Sequence, residues 1–174
     1  CGAGIQADIE TCQALECYPA TIITGITAQN TRKLSKIKNL SAYDFRVQLE
    51  TLLDEFSPEV CKVGLINSFD LMATLSEIVK DRLPTIPIVV DPILNAGSGA
   101  KLFSEEIISG YLNCLIPIAE IITPNQKELK LLSRKKVLSA GVDQLLSSGC
   151  KNVLVTDIYP RKKMIHNHLY SKIH

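Results

Sequence analysis

Strand-like and helix-like segments alternate along this chain, and that alternation limits its fold more than any single residue does. Residues 20–28 (ATIITGITA) are continuous and β-branched, the pattern of a strand buried on both faces. Residues 41–56 read as a helix, because Phe45, Leu49, Leu52, Leu53 and Phe56 fall on one face at helical spacing. Ser41 can cap that helix, with Asp44 three residues on. A strand over 61–66, a helix over 68–83 stopped by Pro84, and a strand over 87–91 (PIVVD) follow. The pattern continues with a helix over 104–113, a strand over 116–123 and helices over 125–132 and 137–148. Strands over 152–156 and 164–170 close it. A β-α unit repeated about five times predicts a doubly wound, mostly parallel sheet with helices on both faces.

Composition agrees with a globular α/β domain. Of 174 residues, 46% are hydrophobic and 21% charged, which suits one domain and not a disordered chain. Lys and Arg number 19 against 18 Asp and Glu. The balance gives no field that would recruit nucleic acid or an anionic membrane. The apolar runs fall short of the roughly 20 residues a membrane helix needs. Six cysteines stand at 1, 12, 17, 61, 114 and 150 with no CxxC pair, which reads as reduced thiols in a cytoplasmic protein.

In such sheets ligands bind beyond the carboxyl ends of the strands. Those positions hold Gln29 and Asn30, then Asn67, then Asp91 and Asn95, then Thr123-Pro124-Asn125, then Asp157. Polar side chains thus gather at one edge, as a cleft requires. Gly2-Ala3-Gly4-Ile5-Gln6-Ala7 fits a dinucleotide-type glycine pattern, but Gln29 stands where an acid belongs, so it reads as a glycine-rich turn into a helix. Gly97-Ser98-Gly99-Ala100-Lys101 lacks P-loop spacing, although its amides could meet a phosphate. Asn125 and Glu128 have two readings, a capping box or holders of the hydration shell of a phosphate-bound Mg²⁺. His166 and His168 share a strand face without an acid or thiol beside them, a poor metal pair. The basic stretch around them reads as a solvated edge hairpin.

Taken in order, these segments resemble one family. Gly2-Ala3-Gly4-Ile5-Gln6-Ala7-Asp8 is similar to the GAGIQAD segment of bacterial hydroxymethylpyrimidine/phosphomethylpyrimidine kinases, and Thr27-Ala28-Gln29-Asn30-Thr31 to their TAQNT segment. Lys62-Val63-Gly64-Leu65, Val90-Asp91-Pro92, Ser98-Gly99 and Ile122-Thr123-Pro124-Asn125 follow in family order. The resemblance implies a ribokinase-like fold. It implies ATP- and Mg²⁺-dependent phosphorylation of 4-amino-5-hydroxymethyl-2-methylpyrimidine and then of its monophosphate, in thiamine biosynthesis. By position it implies that Ala3, Asp8, Thr27, Gln29, Leu65 and Ile93 line the pyrimidine pocket. Asn125 and Glu128 match the family's NxxE motif on the Mg²⁺-phosphate side, with Asp91 between the two sites and Thr156 and Asp157 near the nucleotide. The partners implied are the aminopyrimidine alcohol and its phosphate, with a homodimer as the common assembly.

The chain also departs from that family. The opening strand and its AGSDPSGG-like loop are not among these residues. Nor is the later GTGC or GSGC turn, which supplies the anion hole and the catalytic base; the last glycine is Gly149. Ala96-Gly97-Ser98-Gly99 stands where the family has AKSG, without its lysine, and the stretch from Glu128 to Val153 is shorter than the family's. The expectation is a single incomplete kinase domain over 1–174, holding no catalytic base and inactive by itself. Two rival readings are a pyridoxal kinase of the same fold and a non-catalytic ligand-binding relative.

Overall fold

The computed structural model describes residues 4–30, 32–95, 102–161 and 164–172. In chain order the elements are α1 (Ile5–Ala14), β1 (Gly25–Gln29), β2 (Leu34–Asn39), α2 (Ala42–Glu55), β3 (Cys61–Val63), α3 (Phe69–Arg82) and β4 (Ile88–Val90). Then come α4 (Glu105–Gly110), β5 (Ile121–Ile122), α5 (Gln126–Ser133), α6 (Leu138–Ser147), β6 (Asn152–Arg161) and β7 (Met164–Ser171). Strands β3 to β7 form one sheet in that order. The first four run parallel, in register through Cys61↔Ile88, Val89↔Ile121 and Ile121↔Asn152, and β7 returns antiparallel. The doubly wound, mostly parallel sheet flanked by helices is therefore the fold, as the alternation requires.

Local signals explain most element ends. Ser41 caps α2 by accepting from the Asp44 amide at 3.0 Å, and Phe45 and Leu49 turn inward as the periodicity predicts. Ser68 and Ser104 cap α3 and α4 in the same way. Gly149, at φ +117°, follows α6; a Cβ there would lie 2.9 Å from Pro117 Cα, so both its backbone angle and its surroundings call for glycine. The central strands bury Val63, Ile88, Val90, Ile122, Val153 and Val155, which join inward residues of the helices in one core.

Two expectations are corrected. Residues 20–28 do not form a central strand. Only 25–29 are extended, as β1, and they pair antiparallel with β2 in a separate two-stranded ribbon. Thr27, Ala28 and Gln29 are exposed. The Asn30 side chain turns the chain back, accepting from the Arg32 and Lys33 amides at 2.9 Å. A continuous β-branched run fits a ribbon as well as a core strand, and period alone does not separate them. Residues 116–118 are not extended either. Helix α4 passes into a π-helical turn over Tyr111–Leu115 and a 3₁₀ turn over Ile116–Ile118, so β5 begins only at Ile121. Here the apolar run reads equally as buried helix.

The seam between α3 and α4 depends on Gly110, where an added Cβ would lie 2.5 Å from Met72 Sδ. Met72 is fully buried and has little room to withdraw. Gly110→Ala is expected to destabilise the fold by about 1–3 kcal/mol, the usual cost of overfilling a packed core. Urea unfolding checks this, and an unchanged midpoint would refute it.

Candidate active site

The carboxyl ends of β3 to β5 and the middle of β6 supply the site: β6 runs on to Arg161, past the strand expected over 152–156, so Thr156 and Asp157 stand within it. Beyond β4 the chain turns sharply: the Asp91 amide donates to the Val63 carbonyl and the Ile93 amide to the Asp91 carbonyl, both at 2.9 Å. Beyond β5, the Asn125 Oδ1 atom caps α5, accepting from the Lys127 and Glu128 amides at 2.9 and 3.0 Å. Glu128 Oε2 accepts from the Asn125 amide at 3.0 Å, completing the box. Glu128 Oε1 meets the Leu94 amide at 3.4 Å, so the same carboxylate joins α5 to the loop after β4. Asn125 and Thr156 face each other in a parallel bridge, and the Thr156 amide donates to the Pro124 carbonyl at 2.9 Å. Asp157, at φ +54°, presents its carbonyl to Gln126 Nε2 at 3.0 Å.

The capping box is thus real, and it does not exclude the second reading of Asn125 and Glu128. A carboxylate has about four acceptor positions, and Glu128 spends one per oxygen on the backbone. Glu128 is buried. Desolvation pushes its carboxyl above the ordinary glutamate range, the two amide hydrogen bonds oppose this, and the Asp91 charge adds to it. Asp91 is also shifted upward, first by desolvation and further by Asp8, with Lys62 pulling against both. A corner with two desolvated carboxylates and lone pairs to spare suits a hydrated divalent cation held through water. Beneath it lies the Tyr111 ring, fully buried, whose hydroxyl stays protonated because burial and both carboxylates disfavour the anion.

On the other side Asp8, in α1, pairs with Lys62 of β3 through both carboxylate oxygens, at 2.9 and 3.0 Å. Lys62 plays no part in the sequence-derived site. A lysine in the middle of an otherwise apolar strand was the available signal. The ribbon is tied to the loop after β3 by Thr24 Oγ1 donating to the Leu65 carbonyl at 2.7 Å and by Asn39 Nδ2 donating to the Asn67 carbonyl.

The structure therefore brings together Leu65, Asp91, Ile93, Asn125, Glu128, Thr156 and Asp157 along one edge, with Asp8 reaching it through Lys62. Thr27 and Gln29 stand on the exposed ribbon, not at the end of a sheet strand. Among the described residues no hydrogen bond links their side chains to that edge. Ala3, Thr31 and residues 96–101 lie outside the described residues. His166 and His168 are exposed on the edge hairpin, as read from the sequence. Among the described residues no cluster of three metal-ligating side chains occurs, and no helix is long and apolar enough to cross a membrane. Cys12, Cys17, Cys61, Cys114 and Cys150 carry free thiols. Desolvation raises the last three of these, so they stay protonated.

Comparison with known proteins gives this edge a context. The chain is 30% identical over 159 residues to a hydroxymethylpyrimidine/phosphomethylpyrimidine kinase of Haemophilus influenzae, covering 88% of this chain and 59% of that one. It is 40% identical over 131 residues to the chloroplastic thiamine biosynthetic bifunctional enzyme TH1 of Arabidopsis thaliana, covering 75% of this chain and 25% of that one. The chain thus spans under two thirds of the length of either relative. The crystal structure of a phosphomethylpyrimidine kinase from Clostridium difficile 630 superposes with a TM-score of 0.86 at 31% identity, over 98% of this chain and 75% of that one. The ribokinase-like fold expected from the sequence is therefore the fold observed. The family described as phosphomethylpyrimidine kinase matches residues 1–173, nearly the whole chain that carries this edge, and the chain belongs to that family.

Proposed function

We propose that the protein transfers phosphate from ATP to 4-amino-5-hydroxymethyl-2-methylpyrimidine and then to its monophosphate, a step of thiamine biosynthesis. One observation carries the reading. In a chain of this family, the Asn125–Glu128 box is fastened to the loop after β4 and set beside Asp91 at the carboxyl edge. In this reading Asp8, Thr27, Gln29, Leu65 and Ile93 line the pyrimidine side, together with Ala3. The Gln29 amide can both donate to and accept from an aminopyrimidine edge. Asn125, Glu128, Thr156 and Asp157 form the nucleotide side, with Asp91 between the two. Phosphoryl transfer asks a protein mainly for positioning and for offsetting charge. A Mg²⁺ held through water by Asn125 and Glu128 would supply neutralisation of phosphate charge. A cytoplasmic setting, supported by the free thiols, and a homodimer belong to the same reading.

The test is an assay of the intact protein with ATP, Mg²⁺ and the pyrimidine alcohol. Monophosphate and then pyrophosphate are expected from a protein that carries the glycine-rich anion-hole turn together with these residues, and its failure to phosphorylate the alcohol would overturn the proposal; residues 1–174 by themselves are expected to show no turnover. Asp91→Asn separates site from scaffold. An acid whose folded pKa is raised gives stability that is complete below its unfolded pKa and lost as pH rises through the folded one. Removing the charge should therefore raise the melting temperature at neutral pH while turnover falls about 10²–10³-fold. If turnover persists, Asp91 has no place in the site. The same sign fixes the pH behaviour. The acid limb of kcat/KM should lie above the ordinary carboxylate range, and the melting temperature should fall over the interval in which activity rises. Parallel pH–rate and pH–melting profiles measure both.

A further inference from the structure

The face of the sheet under α1 carries a cation between two acids. Side chains two apart on a strand share a face, so Lys62 and Gly64 point the same way. A Cβ on Gly64 would lie 3.0 Å from Lys62 Nζ and 3.8 Å from Asp8 Oδ2, which places the ammonium over Gly64, toward the carboxyl edge. Lys62 pairs with Val89 and Val63 with Val90, and the Asp91 amide continues the ladder onto the Val63 carbonyl. Asp91 therefore sits beside Gly64 on the face that Lys62 occupies. Asp8 closes the group from α1, a helix with no fully buried residue. Among the described residues, the ion pair is the side-chain hydrogen-bonded link from this partly buried helix to the sheet.

We propose that Lys62 is a positioning residue: its ammonium, laid over Gly64, holds Asp8 and with it α1 against the carboxyl edge beside Asp91, setting the pyrimidine side of the site in register with the phosphate side. The proposal deepens the kinase reading and rests on it for the identity of the ligand. It also makes Gly64 part of the device, since a Cβ there would lie 3.0 Å from the ammonium, tighter than ordinary contact, and a larger side chain would crowd it further.

The experiment compares Lys62→Met, Lys62→Arg and Gly64→Ala in the intact protein by steady-state kinetics and hydrogen exchange. Lys62→Met should raise KM for the pyrimidine alcohol about fivefold, the upper end for a half-exposed pair at 41% and 45% side-chain exposure, with a smaller change in kcat. Amides of residues 5–14 should lose protection while the central strands keep theirs. Lys62→Arg should restore both, and Gly64→Ala should give a smaller defect of the same sign with every charge present. Unchanged KM and unchanged α1 exchange in Lys62→Met would overturn the proposal. Uniform loss of protection across the sheet would do so too, by making Lys62 a scaffold residue. If the unaltered protein does not phosphorylate the alcohol, the kinase reading fails, and the exchange data alone still decide whether Lys62 holds α1.

Discussion

The Glu128 carboxylate is where three parts of the molecule are made one. It closes the cap of α5, it accepts from the loop after β4, and it does so buried. A buried anion is costly unless nearby donors meet it, and two backbone amides do. The parallel bridge between Asn125 and Thr156 fastens β6 to the same point. Without this knot the turns after β4 and β5 would be separate loops; with it, they are joined through one carboxylate.

The same knot shows why a structural and a functional reading of one motif need not compete. An Asn and a Glu three residues apart at a helix start are well explained by capping alone. The cap uses only part of the acceptor capacity of the carboxylate, no ion pair meets its charge among the described residues, and the Asp91 charge raises the cost of holding it. The helix is stabilised by hydrogen bonds, while the surplus negative potential is left for whatever cation arrives. Capping is what gives that potential a fixed position.

Much of the fold was legible because its signals are local. The serine cap at 41, the helix starts at 68 and 104 and the stop at Pro84 each act within a few residues, and each stands where the sequence places it. The ribbon was misread because an unbroken β-branched run says how a strand is built and not what lies on either side of it. The isoleucines at 116 and 118 were misread for a related reason, since buried helix and buried strand select the same residues. Asp91 and Asn125 were legible as polar residues at strand ends, and Glu128 through its spacing from Asn125. Lys62 was not, because its meaning depends on Asp8, 54 residues away, and on the lack of a side chain at Gly64.

The two sides of the sheet end unlike each other. β3 is three residues long with a lysine at its centre, both of them devices that discourage a foreign strand from pairing along an edge. β7 runs for eight residues, with Met164, Ile165 and Leu169 exposed along it. Among the described residues, β7 is thus the edge that offers a long run of backbone groups with apolar side chains beside it, the kind of template a foreign strand would pair with.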